Sequence, residues 1–308
     1  MTMLEFLAPP LVASLILAGI ATYLGVHVVE RGVIFVDLSL AQIAALGMGV
    51  AVLAGLDPHG GQAYWTSLGF TFVGAILFSV IRTKRAHIPQ EANIGITYAV
   101  ASAATILAMS KATGETEHLK EMLVGNILAV SWPEIARTAI LFGFIGAFHY
   151  LFRRRFLLIS LDPKAAEAQG ISIRLWDFLF YASFGLMVTS AVAIAGVLLV
   201  FCYLIVPSVG AMLFADRIGS RLAIGWTMGT LVSALGIYLS LRLDLPTGAT
   251  IICTFGAVLM LMYLLHLVFY HGVSERSLHG ARSSREAVRT SNGLEAEMAE
   301  PADPQRTR

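Results

Sequence analysis

The chain has 308 residues, 57% of them hydrophobic and 13% charged, with a mean hydropathy of +0.76 and a net charge of +1. A soluble globular domain carries about 25% charged residues, so this chain cannot clothe itself in water, and its near-neutral balance excludes a broad basic surface for nucleic acid. Two cysteines, Cys202 and Cys253, are too few for a disulfide framework, and their apolar settings point to buried thiols.

A bilayer core of ~30 Å is crossed by ~20 apolar residues as helix, and helix is required because lipid leaves open backbone groups unsatisfied. The first apolar run begins at Phe6 without a basic stretch ahead of it and is long enough to span, so no cleavable leader is expected. Nine segments meet the requirement in chain order: 6–29, 33–55, 64–82, 92–110, 133–152, 175–197, 198–215, 222–241 and 247–270. The stretch 175–215 is too long for one span and contains two candidate breakers, Gly196 and Pro207. The sequence therefore predicts an all-α, polytopic transmembrane bundle over residues 1–273. The remainder, 274–308, is polar and free of aromatic residues, and is expected to be a disordered tail.

Lys and Arg bias orients such a bundle. With the N-terminus outside, 17 of the 21 Lys and Arg residues face the cytoplasm, among them Arg153, Arg154, Arg155, Lys164 and Arg174. The outside receives Lys111, Lys120, Arg137 and Arg242. The tail then ends inside, which an odd number of spans satisfies.

One polar stretch interrupts this pattern on the cytoplasmic side, ISLDPKAAEAQGIS (159–172). Asp162 suits an N-cap and Pro163 suits the first helical position, where its missing N–H costs nothing. Lys164, Ala165, Ala166, Glu167, Ala168 and Gln169 favour helix, and Gly170 suits the C-terminal stop. The result is a rigid helix of about two turns, much too short to span and well shaped for docking a partner.

Four segments carry a family resemblance. SLDPKAAEAQGI (160–171), VAIAGVLLVFCYLIVPSVGAMLFA (192–215) with Pro207, LDLPTGATI (243–251) with Asp244, Pro246 and Gly248, and more weakly MLVGNILAVS (122–131) resemble, in this order, the membrane permease subunit of zinc, manganese or iron ATP-binding-cassette importers. The resemblance covers roughly residues 6–270. It implies the cobalamin-permease-like, type II importer architecture in a bacterial inner membrane, a homodimer with two ATPase subunits, and an extracytoplasmic metal-binding protein. It also implies that Asp162–Gly170 is the coupling helix pushed by the ATPase. The sequence does not choose among zinc, manganese and iron, and zinc is taken as the default cargo. A permease without its own motor has no phosphate loop. Lys84, Lys111, Lys120 and Lys164 follow Thr, Ser, Leu and Pro, so no GxxxxGK[ST] exists and ATP with its magnesium belongs to a partner chain, leaving no cofactor and no catalytic residue here.

Charge inside a bilayer is costly and marks candidate pathways. Asp37, in RGVIFVDLSLAQIAALGMG (31–49), is the candidate acid; many relatives carry Gly-Asp-x-Leu-x-His in this helix. Aligning Leu40 puts Gln42 where the histidine would stand and Asp37 one position early. Five residues apart, Asp37 and Gln42 lie about 140° apart around an ideal helix, while Ser39 and Gln42 share a face better. Asp37 is alternatively an end-of-helix charge paired with Arg31. His27 and His266 are expected to be hydrogen-bonded structural residues; His118, within ETEHLKE (115–121), lies in a solvated charged stretch, and His149 at a basic membrane edge. With no HExxH, CxxC or GxSxG, enzyme chemistry is unsupported. The rival class, a motor-free secondary transporter or channel, needs buried ionisable groups for coupling, and mid-span acids are scarce.

Overall fold

The computed structural model describes residues 3–57, 60–81, 89–110 and 127–268, with side chains from Leu7 onward; no strand occurs among them. His87, the ETEHLKE stretch and residues 274–308 lie outside the described residues. Eleven α-helices follow in order: α1 Met3–Glu30, α2 Val36–Leu53, α3 Gly61–Ile81, α4 Gln90–Met109, α5 Trp132–Leu151, α6 Arg153–Leu161, α7 Pro163–Ala168, α8 Ile173–Ala195, α9 Val197–Met212, α10 Ile218–Leu243 and α11 Thr247–Val268. A single 3-10 turn, Ile127–Ala129, precedes α5. Residues 1–259 form one unit; the second, 260–308, is described only over the apolar, largely exposed helical residues 260–268.

Each of the nine predicted segments is helical, and two depart from a plain span. α5 and α6 are apolar enough to cross only as a pair, and they meet at a 74° bend. α9, at 16 residues, is shorter than the other candidates. Seven of the described helices are individually long and apolar enough to cross a bilayer.

Of the two candidate breakers only Gly196 breaks. It adopts φ +79°, a conformation open to glycine and costly for a side chain, and it separates α8 from α9. Pro207 stays inside α9. Its neighbour Ser208 places its hydroxyl 2.7 Å from the Leu204 carbonyl and 3.2 Å from that of Thr22, a contact between α9 and α1 beside the proline. α5 starts where the sequence caps it: Glu134 accepts from the Ser131 N–H at 2.8 Å and from its hydroxyl at 2.6 Å, with Pro133 in the first turn.

The helices sort into two packed groups. α1 lies against α9 and α10, whereas α2 lies against α3 and α4, and α3 against α8. In lipid, such contacts draw on close van der Waals approach rather than hydrophobic expulsion, and glycine permits the closest one. A Cβ on Gly25 would collide with the Leu204 carbonyl oxygen and the Ser208 hydroxyl, so α1 and α9 cross backbone to backbone there. Gly25→Ala is accordingly expected to destabilise the chain by ~3 kcal/mol, the upper part of the usual overpacking range, read as a lowered thermal midpoint in detergent. Outward faces stay apolar, with Val100 and Leu107 on α4, Phe144 on α5 and Leu231 on α10 exposed. Cys202 is buried as expected, but Cys253 is exposed: α11 turns Ile251 and Phe255 inward, and Cys253 falls on its other side.

Candidate coupling segment and ion pathway

The polar stretch folds as its caps dictate. Asp162 Oδ1 accepts from the Ala165 N–H at 2.9 Å, and Pro163 occupies the first helical position of α7. At the other end Gly170 takes φ +73°; its N–H donates to the Glu167 carbonyl at 2.9 Å and the Ile171 N–H to the Ala166 carbonyl at 3.1 Å. This pair of bonds is a Schellman stop. Ala166 alone in α7 is buried, while Asp162, Lys164, Glu167, Ala168, Gln169 and Gly170 are exposed. Six residues thus form a knob with one inward anchor and an exposed, mostly polar outer face.

Its mounting is a feature that the local sequence conceals. α6 carries the sequence RRRFLLISL, and turns Phe156, Ile159 and Ser160 inward. The spacing 156, 159, 160 is a helical apolar face, overshadowed in the sequence by the three arginines. Those arginines stay exposed; Arg153 sits over the Tyr150 ring and Arg155 over that of Trp176. Around Phe156, the rings of His149, Trp176 and Phe180 pack within 4.3 to 6.2 Å.

At the centre of this mounting lies a buried ion pair. Arg31, just past the end of α1, donates from one terminal nitrogen to Asp177 Oδ1 on α8 at 2.8 Å; the side chains are 1% and 0% exposed. Its Nε donates to the Ser160 hydroxyl at 2.9 Å, and its guanidinium lies 3.9 Å above the Phe180 ring. Ser160 also meets His27 Nδ1 at 2.8 Å and donates to the Phe156 carbonyl at 2.9 Å. His27 is therefore the hydrogen-bonded structural residue expected. His149, in the last turn of α5, is fully buried, with Nε2 2.8 Å from the Ser183 hydroxyl, because the bend after α5 folds α6 over it.

Asp37 and Gln42 both lie on α2 and both are buried. Arg31 forms its buried ion pair with Asp177, leaving Asp37 with other neighbours: Glu91 on α4 and Cys202 on α9 interact with it electrostatically. Its Oδ1 has no hydrogen-bond partner among the described residues. Glu91 in turn accepts from the Phe35 N–H at 2.9 Å, holding the turn before α2 against the start of α4. The Ser39 hydroxyl is committed to the protein, donating to the Ile94 carbonyl on α4 at 2.7 Å. Among the described residues no three His, Cys, Asp or Glu side chains converge into a metal cage.

The other motif residues serve connections. Asp244 closes α10 in the left-handed region at φ 52°; the Leu245 N–H returns to the Ser240 carbonyl, and the hydroxyls of Ser240 and Thr247 meet at 2.6 Å. Pro246 and Gly248 lie where α11 begins, and the Pro246 carbonyl accepts from the Thr250 N–H at 3.0 Å.

The family model described as the ABC 3 transport family matches residues 3–268, nearly the whole helical part. This chain belongs to the ABC 3 transport family. Its membrane-spanning helices are those of a transporter permease subunit. Among curated relatives, the manganese transport system membrane protein MntC of Listeria monocytogenes is 24% identical over 263 residues, covering 84% of this chain and 90% of that one. MntC of Halalkalibacterium halodurans is 26% identical over 290 residues, covering 91% and 93%. Among solved structures, PsaBC from Streptococcus pneumoniae in complex with Fab matches with a TM-score of 0.70 at 22% identity, over 84% of this chain and 91% of that one. The ABC 3 chain thus shares that fold, and the all-helical polytopic architecture expected from its sequence is the one observed.

Proposed function

We propose that this chain is the permease subunit of an importer that carries a divalent first-row metal into a bacterial cytoplasm, driven by a separate ATPase. The observation that carries the proposal is the doubly capped knob α7, exposed on every side but one and mounted on a buried ion pair. A loop that only joined two spans would need neither. The knob docks on the ATPase subunit, which binds ATP and magnesium; two copies of the chain form the dimer, and an extracytoplasmic binding protein delivers the ion. The distribution of Lys and Arg supports an outside N-terminus, with the knob and the tail in the cytoplasm.

Manganese and iron are favoured over zinc. Two of the relatives are named for manganese, and another, of Haemophilus influenzae and 26% identical over 251 residues, is named "Probable iron transport system membrane protein". The donors offered by α2 favour manganese in particular: carboxylate and amide oxygens suit it, whereas imidazole, absent at Gln42, suits zinc and iron. Weak ligation is what a conduit needs, because the ion must also leave.

The test is uptake of manganese, iron and zinc into vesicles containing the complete complex, with and without ATP. Manganese or iron uptake that requires ATP supports the reading; uptake indifferent to ATP supports the motor-free rival. In the same assay Asp37→Asn, which removes the buried carboxylate charge without changing its size, is expected to lower manganese uptake about tenfold while ATP hydrolysis continues, the scale of losing one charged ligand interaction. Unchanged uptake by this variant removes Asp37 from the pathway.

A further inference from the structure

The geometry points to Arg31 as the joint that passes motion of the α7 knob to the rest of the permease. This inference rests on the proposed coupling role of α7. The knob has two covalent neighbours, α6 before it and α8 after it, and one guanidinium holds both. Arg31 Nε reaches Ser160, two residues ahead of Asp162, and a terminal nitrogen of Arg31 reaches Asp177, seven residues beyond Gly170. The knob therefore cannot tilt without loading the Arg31 side chain from both sides.

What Arg31 is attached to makes the load useful. It stands at the end of α1, whose backbone crosses α9 at Gly25 and whose Glu30 pairs with Arg221 on α10. Beyond it, Gly32 at φ +64° turns the chain sharply, and Val36 opens α2 four residues later. Asp37 is in the first turn of α2, and the Phe35 N–H is held by Glu91 of α4. The same residue thus terminates the helix that leads to α9 and α10 and starts the turn that leads to Asp37. Two packed groups of helices meet at one side chain, and the knob grips that side chain. A guanidinium is well suited to such a joint, since its planar fork addresses two partners in fixed directions, with the Phe180 ring limiting its movement from one face.

The inference separates transmission from folding. Exchanging a buried ion pair for apolar residues of similar volume often leaves stability unchanged, so Arg31→Met with Asp177→Leu in one chain is expected to insert and assemble. Without the joint, the ATPase still turns over but moves ions poorly: metal uptake falls about tenfold, a typical size for a lost coupling interaction, and the ATP consumed per ion rises by the same factor. Ser160→Ala, which cuts the upstream arm along with the His27 contact and leaves the Asp177 arm in place, is expected to raise that ratio to a smaller extent. A role confined to holding the fold would lower uptake and ATP hydrolysis together and leave their ratio untouched. Wild-type ATP per ion in both variants overturns the inference, and so does a double variant that cannot assemble beside a Ser160→Ala variant with the wild-type ratio. A complex in which residues 162–170 are a flexible linker serves as the control. If it too transports normally, the coupling role of α7 is wrong; if it is inactive while the Arg31 variants keep the wild-type ratio, the joint alone is wrong.

Discussion

A complex in which residues 162–170 are replaced by a Gly/Ser linker of equal length is expected to insert normally and to take up no metal above background. Insertion survives because no span is altered and because the segment buries only Ala166. Uptake fails for a mechanical reason. The native segment holds its shape through the Asp162 cap, the Pro163 start and the Gly170 stop, so a push on its outer face reaches α6 and α8 undiminished. A Gly/Ser coil takes up the same displacement by changing its own dihedral angles and transmits almost none of it. An intermediate variant sharpens the test. Asp162→Ala removes one cap at a cost of ~1 kcal/mol of helix stability, so it is expected to reduce uptake partially and to leave insertion intact. The measurement is metal uptake and ATP hydrolysis in vesicles, with surface labelling to report sidedness. Full transport by the linker variant, or a knob labelled from outside the cell, refutes the docking role.

How much of this arrangement the sequence discloses depends on the range of each interaction. The nine apolar segments are legible because lipid enforces helix and length along the chain itself, without reference to distant partners. The knob is legible for the same reason: cap, first-turn proline and stop glycine lie within nine consecutive residues. Gly196 is legible as a break, since only its own φ is involved. Pro207 misleads because α9 continues through it packed against α1, where the Ser208 hydroxyl reaches the Thr22 carbonyl, and that long-range contact does not appear in a local reading. α6 is hidden behind Arg153, Arg154 and Arg155, whose charge masks the inward face of Phe156, Ile159 and Ser160. Least legible is the pairing of Arg31. The nearest following acid in sequence is Asp37, yet the observed partner is Asp177, 146 positions away. Proximity along the chain is a poor guide once a bend such as that after α5 brings three helices to one point. The departure at Gln42 is plain in the sequence alone, and the burial of Gln42 and Asp37 keeps both as candidates without bringing them together.

Arg31→Ala alone is expected to cost ~3–5 kcal/mol of stability, the range for removing one member of a buried ion pair. The sign follows from the burial of its partner. Asp177 is 0% exposed, so its carboxylate has been stripped of water and relies on the guanidinium 2.8 Å away for compensation. Deleting the guanidinium leaves the desolvation penalty in place and removes the attraction that offset it. Ser160 Oγ and the Phe180 ring face lose their contact at the same time, which adds a smaller packing loss. Asp177→Leu alone strands the arginine and is expected to cost a similar amount. The double replacement Arg31→Met with Asp177→Leu is expected to cost far less than either single change, because neither buried charge then remains to be solvated. With Arg31→Met also made singly, the wild type, Arg31→Met, Asp177→Leu and the double variant form a double-mutant cycle, so the interaction between the two sites is obtained free of most single-site effects. Unfolding of the purified permease in detergent, followed by tryptophan fluorescence, supplies the numbers; Trp176 adjoins Asp177 and packs against Phe152 and Phe156 in the affected region. A near-additive cycle would mean that water or another group compensates each partner, and the Arg31–Asp177 contact would then contribute little to stability despite its burial.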